Sequence, residues 1–168
     1  MRPFFRAIVL GGIVVSVPAA AQQADNPVSS ALRSMLERGE RTLVGAAETM
    51  PADKYGFKPT EGQMSFGQLV LHVAGSNEFM CATIAGTKPP ERPKLQPTAG
   101  KDALVARMKE SFAYCTTALA KATDANLGES VPFFGGRTIT RAGAMLDLAA
   151  DWADHYSAAA NYLRLNGL

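Results

Sequence analysis

Four apolar stripes at helical spacing, parted by stretches rich in proline and glycine, restrict this chain's fold more than anything else in it. Asn26-Pro27 opens the first, since asparagine can cap a helix and proline suits its first position. Leu32, Met35, Leu36, Leu43, Val44, Ala47 and Met50 then recur at helical spacing, Glu37, Arg38, Glu40 and Arg41 fill the opposite face, and Pro51 ends the run. After a loop holding Gly56, Pro59 and Gly62, Ser65-Phe66-Gly67-Gln68 matches a capping box, with Met64 and Leu69 placed for a hydrophobic staple. The stripe Leu69, Val73, Phe79 and Met80 carries that helix to about Ala85. Gly86 to Gly100 contains Pro89, Pro90, Pro93 and Pro97 and reads as an extended crossover.

The third stripe, Leu104, Val105, Met108, Phe112, Cys115 and Leu119, predicts a helix from Lys101 to about Ala122. Thr123 to Thr140 is irregular, and Val131-Pro132-Phe133-Phe134-Gly135-Gly136 reads as a small hairpin or a packed loop. Thr140 then caps a long fourth helix, about Arg141 to Leu165. Its inner stripe is Met145, Leu148, Trp152, His155, Tyr156, Ala159 and Leu163, and it stops near Gly167. Four amphipathic helices with two longer connections imply an all-α fold, a four-helix bundle with long crossover loops. No glycine-rich phosphate loop, sustained strand alternation or internal repeat competes with it.

The first residues follow a different logic. Met1 to Arg6 carry two arginines and no acid, Ala7 to Val17 are apolar, and Pro18 leads into Ala19-Ala20-Ala21 before Gln22. That is the layout of a cleavable secretory signal, too short to span a bilayer comfortably. The expected organisation is therefore a signal peptide over 1–21, a short linker over 22–26 and one bundle domain over 27–168. The expected location is exported, periplasmic or secreted. The full chain has 17 basic and 15 acidic residues. Losing Arg2 and Arg6 leaves 15 of each, so strong electrostatic binding to nucleic acid or anionic lipid is not expected. No stable membrane anchor is expected after cleavage either. A small-molecule substrate and a homodimer are both compatible with this surface. An oxidising compartment permits a disulfide between Cys81 and Cys115, the chain's two cysteines, against the plainer reading of two buried thiols. No C-x-x-C motif points to thioredoxin-type chemistry.

The chain has two histidines, His72 and His155, each expected on an inward helix face. Asp151 lies one turn before His155, so both side chains project to one side of the fourth helix. An unpaired carboxylate there would be costly to bury, and an arginine, a protonated histidine or a metal ion could neutralise it. Facing helices of a bundle can bring His72 against Asp151 and His155. Two imidazoles and one carboxylate make a three-ligand set with room for water, the pattern of catalytic zinc and of non-haem iron sites. Asp147 and Asp154 stand close by as further candidates, with Asp154 expected to be a solvated surface acid. A haem held by a histidine and Met35 is a further, weaker reading.

Taken together, the four-helix plan, Leu69-Val70-Leu71-His72-Val73-Ala74, Asp151-Trp152-Ala153-Asp154-His155-Tyr156 and the terminal Tyr162-Leu163-Arg164-Leu165-Asn166-Gly167 resemble the DinB/YfiT-like superfamily. The segment Met50 to Thr60 also resembles that family's loop after the first helix. The resemblance implies a divalent metal, Zn, Ni, Mn or Fe, on three histidines: one on the second helix and an H-x-x-x-H pair on the last. His72 and His155 match two of these positions, and Asp151 replaces the third, which hardens the site and makes it more anionic. The activity implied is metal-dependent hydrolysis or thiol-dependent transfer. The alternative is a non-catalytic exported bundle in which a buried His–Asp pair stands in place of a metal.

Overall fold

The computed structural model describes residues 26–168. The expected signal peptide, and all of the expected linker but Asn26, lie outside those residues. Four helices carry the fold: α1 (Pro27–Thr49), α2 (Phe66–Ala85), α3 (Lys101–Leu119) and α4 (Arg141–Leu165). A two-stranded antiparallel hairpin, β1 (Ser130–Pro132) and β2 (Thr138–Thr140), precedes α4, with Val131 opposite Ile139. Among the described residues no helix is long and apolar enough to cross a membrane.

α1 packs on α3 and α4, and α2 likewise, so α1 and α2 sit diagonally across the bundle from each other, as do α3 and α4. The side-chain pairs give the directions. Asn77 meets Ser111 and Cys81 meets Cys115, so α2 and α3 run parallel. Arg141 on α4 reaches the Ile84 carbonyl while the His155 ring lies against that of His72, so α2 and α4 are antiparallel. A parallel α2–α3 pair requires a connection that returns along the bundle. The 86–100 segment does this, strapped down by Arg92 to Glu78 and Glu110 and by Arg107 to the Pro93 carbonyl. Gly67 is needed beneath it: a Cβ there would stand 2.6 Å from the Pro97 carbonyl oxygen.

Local chemistry explains most helix ends. The Ser65 hydroxyl accepts from the Gln68 N–H at 3.2 Å, and the Gln68 side chain accepts from the Ser65 N–H at 2.7 Å, which completes the capping box. The expected staple is not buried, for Met64 stays largely exposed and offers its carbonyl to the Tyr162 hydroxyl at 2.9 Å. Gly86 ends α2 in the left-handed region at φ 69°, and the Thr140 hydroxyl caps α4 through the Gly143 N–H at 3.1 Å. α3 stops at Leu119, short of Ala122. There the Arg33 guanidinium donates to the carbonyls of Leu119 and Ala122 at 3.3 and 3.1 Å, satisfying acceptors that a further turn would have used. Tyr55 docks the 52–64 loop on α1 by donating to the Ala47 carbonyl at 2.6 Å. Burial, with Asp102 and Glu48 adding to it, pushes that hydroxyl well above its usual range and keeps it a donor.

α1 begins differently from expectation. The Asn26 side chain makes no cap bond to the first turn. It accepts from the Asp124 N–H at 2.7 Å, and Asp124 supplies the cap in its place. The Asp124 carboxylate takes the N–H groups of Val28 and Ser29 at 2.9 Å each and the Ser29 hydroxyl at 2.6 Å. A residue nearly one hundred positions downstream thus closes α1, which local spacing does not reveal. Desolvation alone would raise the Asp124 pKa, but the Ser29 hydroxyl and the Ser29 and Val28 N–H groups outweigh it and hold the carboxyl below its usual range. A depressed folded-state pKa contributes stability that is present above the ordinary Asp range and lost as pH falls through the lowered value. Asp124→Asn is therefore expected to lower Tm at neutral pH and to flatten the acid limb of a Tm-against-pH curve. An unchanged acid limb would show that the cap is not coupled to folding.

The Cys81–Cys115 disulfide is formed, with Cα atoms 5.3 Å apart and both residues fully buried between α2 and α3. It closes a sequence separation of 34 residues, for which the chain-entropy model gives about 4 kcal/mol. Unreduced, denatured protein is expected to present no reactive thiol and reduced protein two. Chemical denaturation of the reduced form should show a loss near that magnitude.

Candidate metal centre

α2 and α4 run antiparallel side by side, so a residue near the middle of one meets a residue near the middle of the other. A buried polar set fixes which residues those are. The Asn77 side chain donates to the Ser111 hydroxyl at 3.0 Å and accepts from the Trp152 indole N–H at 2.7 Å. Ser111 donates onward to the Met108 carbonyl at 2.7 Å. Asn77 and Ser111 are fully buried, so a shift of α4 by one residue along α2 would strand these groups without partners. Gly39 on α1 admits Trp152: a Cβ there would stand 3.2 Å from the indole ring.

With Trp152 so placed, its sequence neighbours Asp151 and His155 face α2 one turn and more from Asn77, where His72 stands. The donor atoms of His72, Asp151 and His155 all lie within 4.8 Å of one another. The two imidazole rings are 4.8 Å apart at their centres and inclined by 30°. His155 Nδ1 lies 2.7 Å from the Asp151 carbonyl oxygen and 3.5 Å from its carboxylate Oδ1. Donation from Nδ1 to that carbonyl leaves Nε2 as the free electron-pair donor of His155, the arrangement found behind metal-ligating histidines.

Asp151 carries the strain of the site. Its Oδ2 is buried and has no hydrogen-bond partner. Burial pushes its carboxyl above the usual range, against the opposing pull of His155 and His72, with Asp154 adding to the rise. The chemistry of the donor set, two imidazole nitrogens and a carboxylate with an unsatisfied oxygen, fits a divalent cation. At separations of up to 4.8 Å, these side chains would have to draw together to hold an ion.

The sequence expectation is corrected at two points. His72 is exposed rather than turned into the core, because the core side of α2 is taken by Val73, Asn77 and Met80. Met35 is 44 % exposed and lines a surface groove between α1 and α4 with Ala149 and Tyr156, so it is not placed to share a haem with either histidine. Asp147 and Asp154 are exposed, Asp154 as expected. Asp154 lines an open cleft of about 560 Å³ with Pro59, Gln63, Ala158 and Tyr162, which flanks the turn carrying His155. Asn77, with Ser111 and Trp152, is the part of the site that sequence reasoning missed. Its signal was an asparagine four residues after Val73 and three before Met80, on the apolar stripe itself.

Asn77→Ala leaves the Trp152 N–H and the Ser111 hydroxyl unpaired in the core. It is expected to cost about 2–4 kcal/mol in denaturant unfolding. The same variant should broaden or shift the His155 ring signals in NMR, since α4 loses the contact that sets its register.

A family model described as the DinB superfamily matches residues 35–159. Among solved structures, a DinB-like protein from Bacillus subtilis is 20 % identical, with a TM-score of 0.67, covering 82 % of this chain and 92 % of that one. A conserved protein from Enterococcus faecalis is 16 % identical, with a TM-score of 0.66 and coverages of 82 % and 96 %. A variant of a mycothiol-dependent maleylpyruvate isomerase is 18 % identical, with a TM-score of 0.61 and coverages of 78 % and 60 %. At these identities the likenesses are of fold. Comparison with curated proteins finds no significant match. With three quarters of its length covered by the family model and its bundle shared with DinB-like structures, the chain belongs to the DinB superfamily.

Proposed function

We propose that this protein is an exported, divalent-metal-dependent enzyme whose ion is held by His72, Asp151 and His155. The observation that carries the reading is that two imidazoles gather within 4.8 Å of a carboxylate one of whose oxygens is buried without a hydrogen-bond partner. A neutral polar pair would leave that oxygen costly, and a cation removes the cost. Three protein ligands leave coordination positions open, which distinguishes a reactive site from a closed structural one. When bound, the ion supplies Lewis acidity, for activating water or polarising a substrate oxygen. The chain's own residues have separate parts. His155 is oriented by the Asp151 carbonyl, and exposed His72 borders solvent on the side from which a substrate would arrive. The cleft beside Asp154 and Ala158 offers room for a small molecule. The reaction class is metal-assisted hydrolysis or thiol-dependent transfer; the likeness to a mycothiol-dependent isomerase supports considering the second. Export rests on the leader-like N-terminus and agrees with a buried disulfide.

A second reading has one observation in its favour. The 3.5 Å approach of His155 to Asp151 can serve as a half-buried ion pair without any metal. In that case the protein is a non-catalytic binding bundle.

Elemental analysis of protein purified without a nickel column separates the two. About one equivalent of Zn, Mn, Fe or Ni is expected per chain, falling at least tenfold in His72→Ala, Asp151→Ala and His155→Ala. A folded, metal-free protein that takes up none of these ions would overturn the enzyme reading and leave the ion pair.

A further inference from the structure

The open cleft of about 560 Å³ beside the triad is lined by two charged residues of opposite sign, Asp154 and Arg164. Both stand on α4 and both are exposed. Among the described residues neither belongs to an ion pair. Asp154 adjoins His155 in sequence, so its end of the cleft is the metal end, and Arg164 marks the far end. The Arg164 guanidinium reaches back one turn and donates through Nη1 to the Asn161 Oδ1 at 3.2 Å. Its Nε and Nη2 edge makes no bond to the protein. The levels of Asp154 and Asn161 are seven residues apart, about 10 Å along the helix axis. At that separation the two charges do not neutralise each other by contact, and each is left to an outside partner.

Between the charges the cleft offers hydrogen-bonding groups. On the loop wall, the Gln63 Oε1 accepts from the Thr60 hydroxyl at 3.2 Å, which leaves the Gln63 amide NH2 without a protein partner. On the helix wall, Asn161 spends its oxygen on Arg164 and likewise keeps its NH2, and the Ser157 hydroxyl makes no bond to the protein. The loop wall is held in place: the Tyr162 hydroxyl donates to the Met64 carbonyl at 2.9 Å, and the Phe57 ring stands edge-on to Tyr162 at 6.1 Å. The cleft is therefore formed before any ligand arrives, which lowers the ordering cost of binding one.

A ligand that answers this pattern carries one positive and one negative group about 10 Å apart, with amide units between them. A lone carboxylate at the metal end selects an ammonium. A lone guanidinium with one free edge matches a carboxylate, and no second cation stands in the cleft to balance a dianionic phosphate. Peptide carbonyls can accept from the NH2 groups of Gln63 and Asn161, and a peptide N–H can donate to Ser157. An extended chain of three residues spans about 10 Å.

We propose that the cleft binds a short zwitterionic peptide of about three residues, its amino end on Asp154 and its carboxylate on Arg164. In this orientation the amino-terminal residue lies beside the triad. That such a peptide is the substrate rests on the metal-dependent enzyme reading; that the cleft binds it does not.

Isothermal titration of the purified protein, untreated and again after chelation, tests this with trialanine, N-acetyl-trialanine and trialanine amide. Trialanine is expected to bind with a Kd of about 0.5 mM in both preparations, and each capped form at least roughly fivefold more weakly, the worth of one exposed ion pair. In Asp154→Asn, trialanine should fall to the affinity of the acetylated form, whose own affinity should not change. In Arg164→Gln, trialanine should fall to the affinity of the amide, whose own affinity should not change. The proposal is overturned if the three ligands bind the wild type equally, if none binds below about 10 mM, or if either variant weakens all three alike, as a merely structural side chain would. Elemental analysis of the same samples reports on the triad separately. Charge-dependent binding of trialanine to a protein that takes up no metal would sink the enzyme reading and keep the peptide site, and a metal-loaded protein indifferent to the terminal charges would do the reverse.

Discussion

The Asn77 amide sets the geometry of this molecule. It joins α2 to α3 through Ser111 and to α4 through the Trp152 indole, all in a buried setting where a lost partner is not replaced by water. One turn further along α2 and α3, the Cys81–Cys115 disulfide holds the same two helices. Apolar packing alone tolerates small slips between helices, because one methyl serves nearly as well as its neighbour. A two-sided amide bond does not. Trp152 sits between Asp151 and His155 in sequence, so the bond that places the indole also places two of the three donor groups. His72 lies five residues before Asn77 on the same rigid helix, which places the third.

α4 is thereby divided into two surfaces with opposite chemistry. Toward α2 it presents Asp151 and His155, with Asp147 and Asp154 exposed nearby. On the far side it presents alanines between Leu146 and Tyr156, with no charge. A single helix can serve both only because the core takes the stripe between them, through Met145, Leu148 and Trp152. The apolar far side explains why hydrophobic periodicity overstates the core of this chain. Met35 and Tyr156 have the spacing of interior residues, yet both stand on the surface beside the groove.

That ambiguity marks what was legible in the sequence. Helix ends set by chemistry within four residues could be read: the Ser65–Gln68 box, the Thr140 cap and the glycine stop at Gly86. The Val131 to Gly136 segment was legible only as a small hairpin or a packed loop; the structure makes it a hairpin, with Gly135 and Gly136 at positive φ at its tip. Asp151 and His155 could be paired because one turn of helix guarantees a shared face. Contacts across large separations could not. Asp124 capping α1 and Arg33 ending α3 depend on tertiary approach, and spacing alone pointed to Asn26 and Ala122 in their place. The exposure of His72 was likewise hidden, because its neighbours Leu69 and Val73 are apolar on both sides and only the packing of α4 decides which edge of the stripe is covered.

The central claim is that Asp151 is a buried carboxylate completed by a cation, and one comparison of melting temperatures bears on it most directly. Wild type and Asp151→Asn would be melted after chelation and again with added Zn or Mn. Without metal, the variant should melt at or above the wild type, because it removes an uncompensated charge from a desolvated position. With metal, the wild type should gain several degrees and the variant should not, since a ligand specific to the native state stabilises only the protein that binds it. A variant less stable than the chelated wild type, with metal shifting neither protein, would contradict the account and return Asp151 and His155 to a simple ion pair.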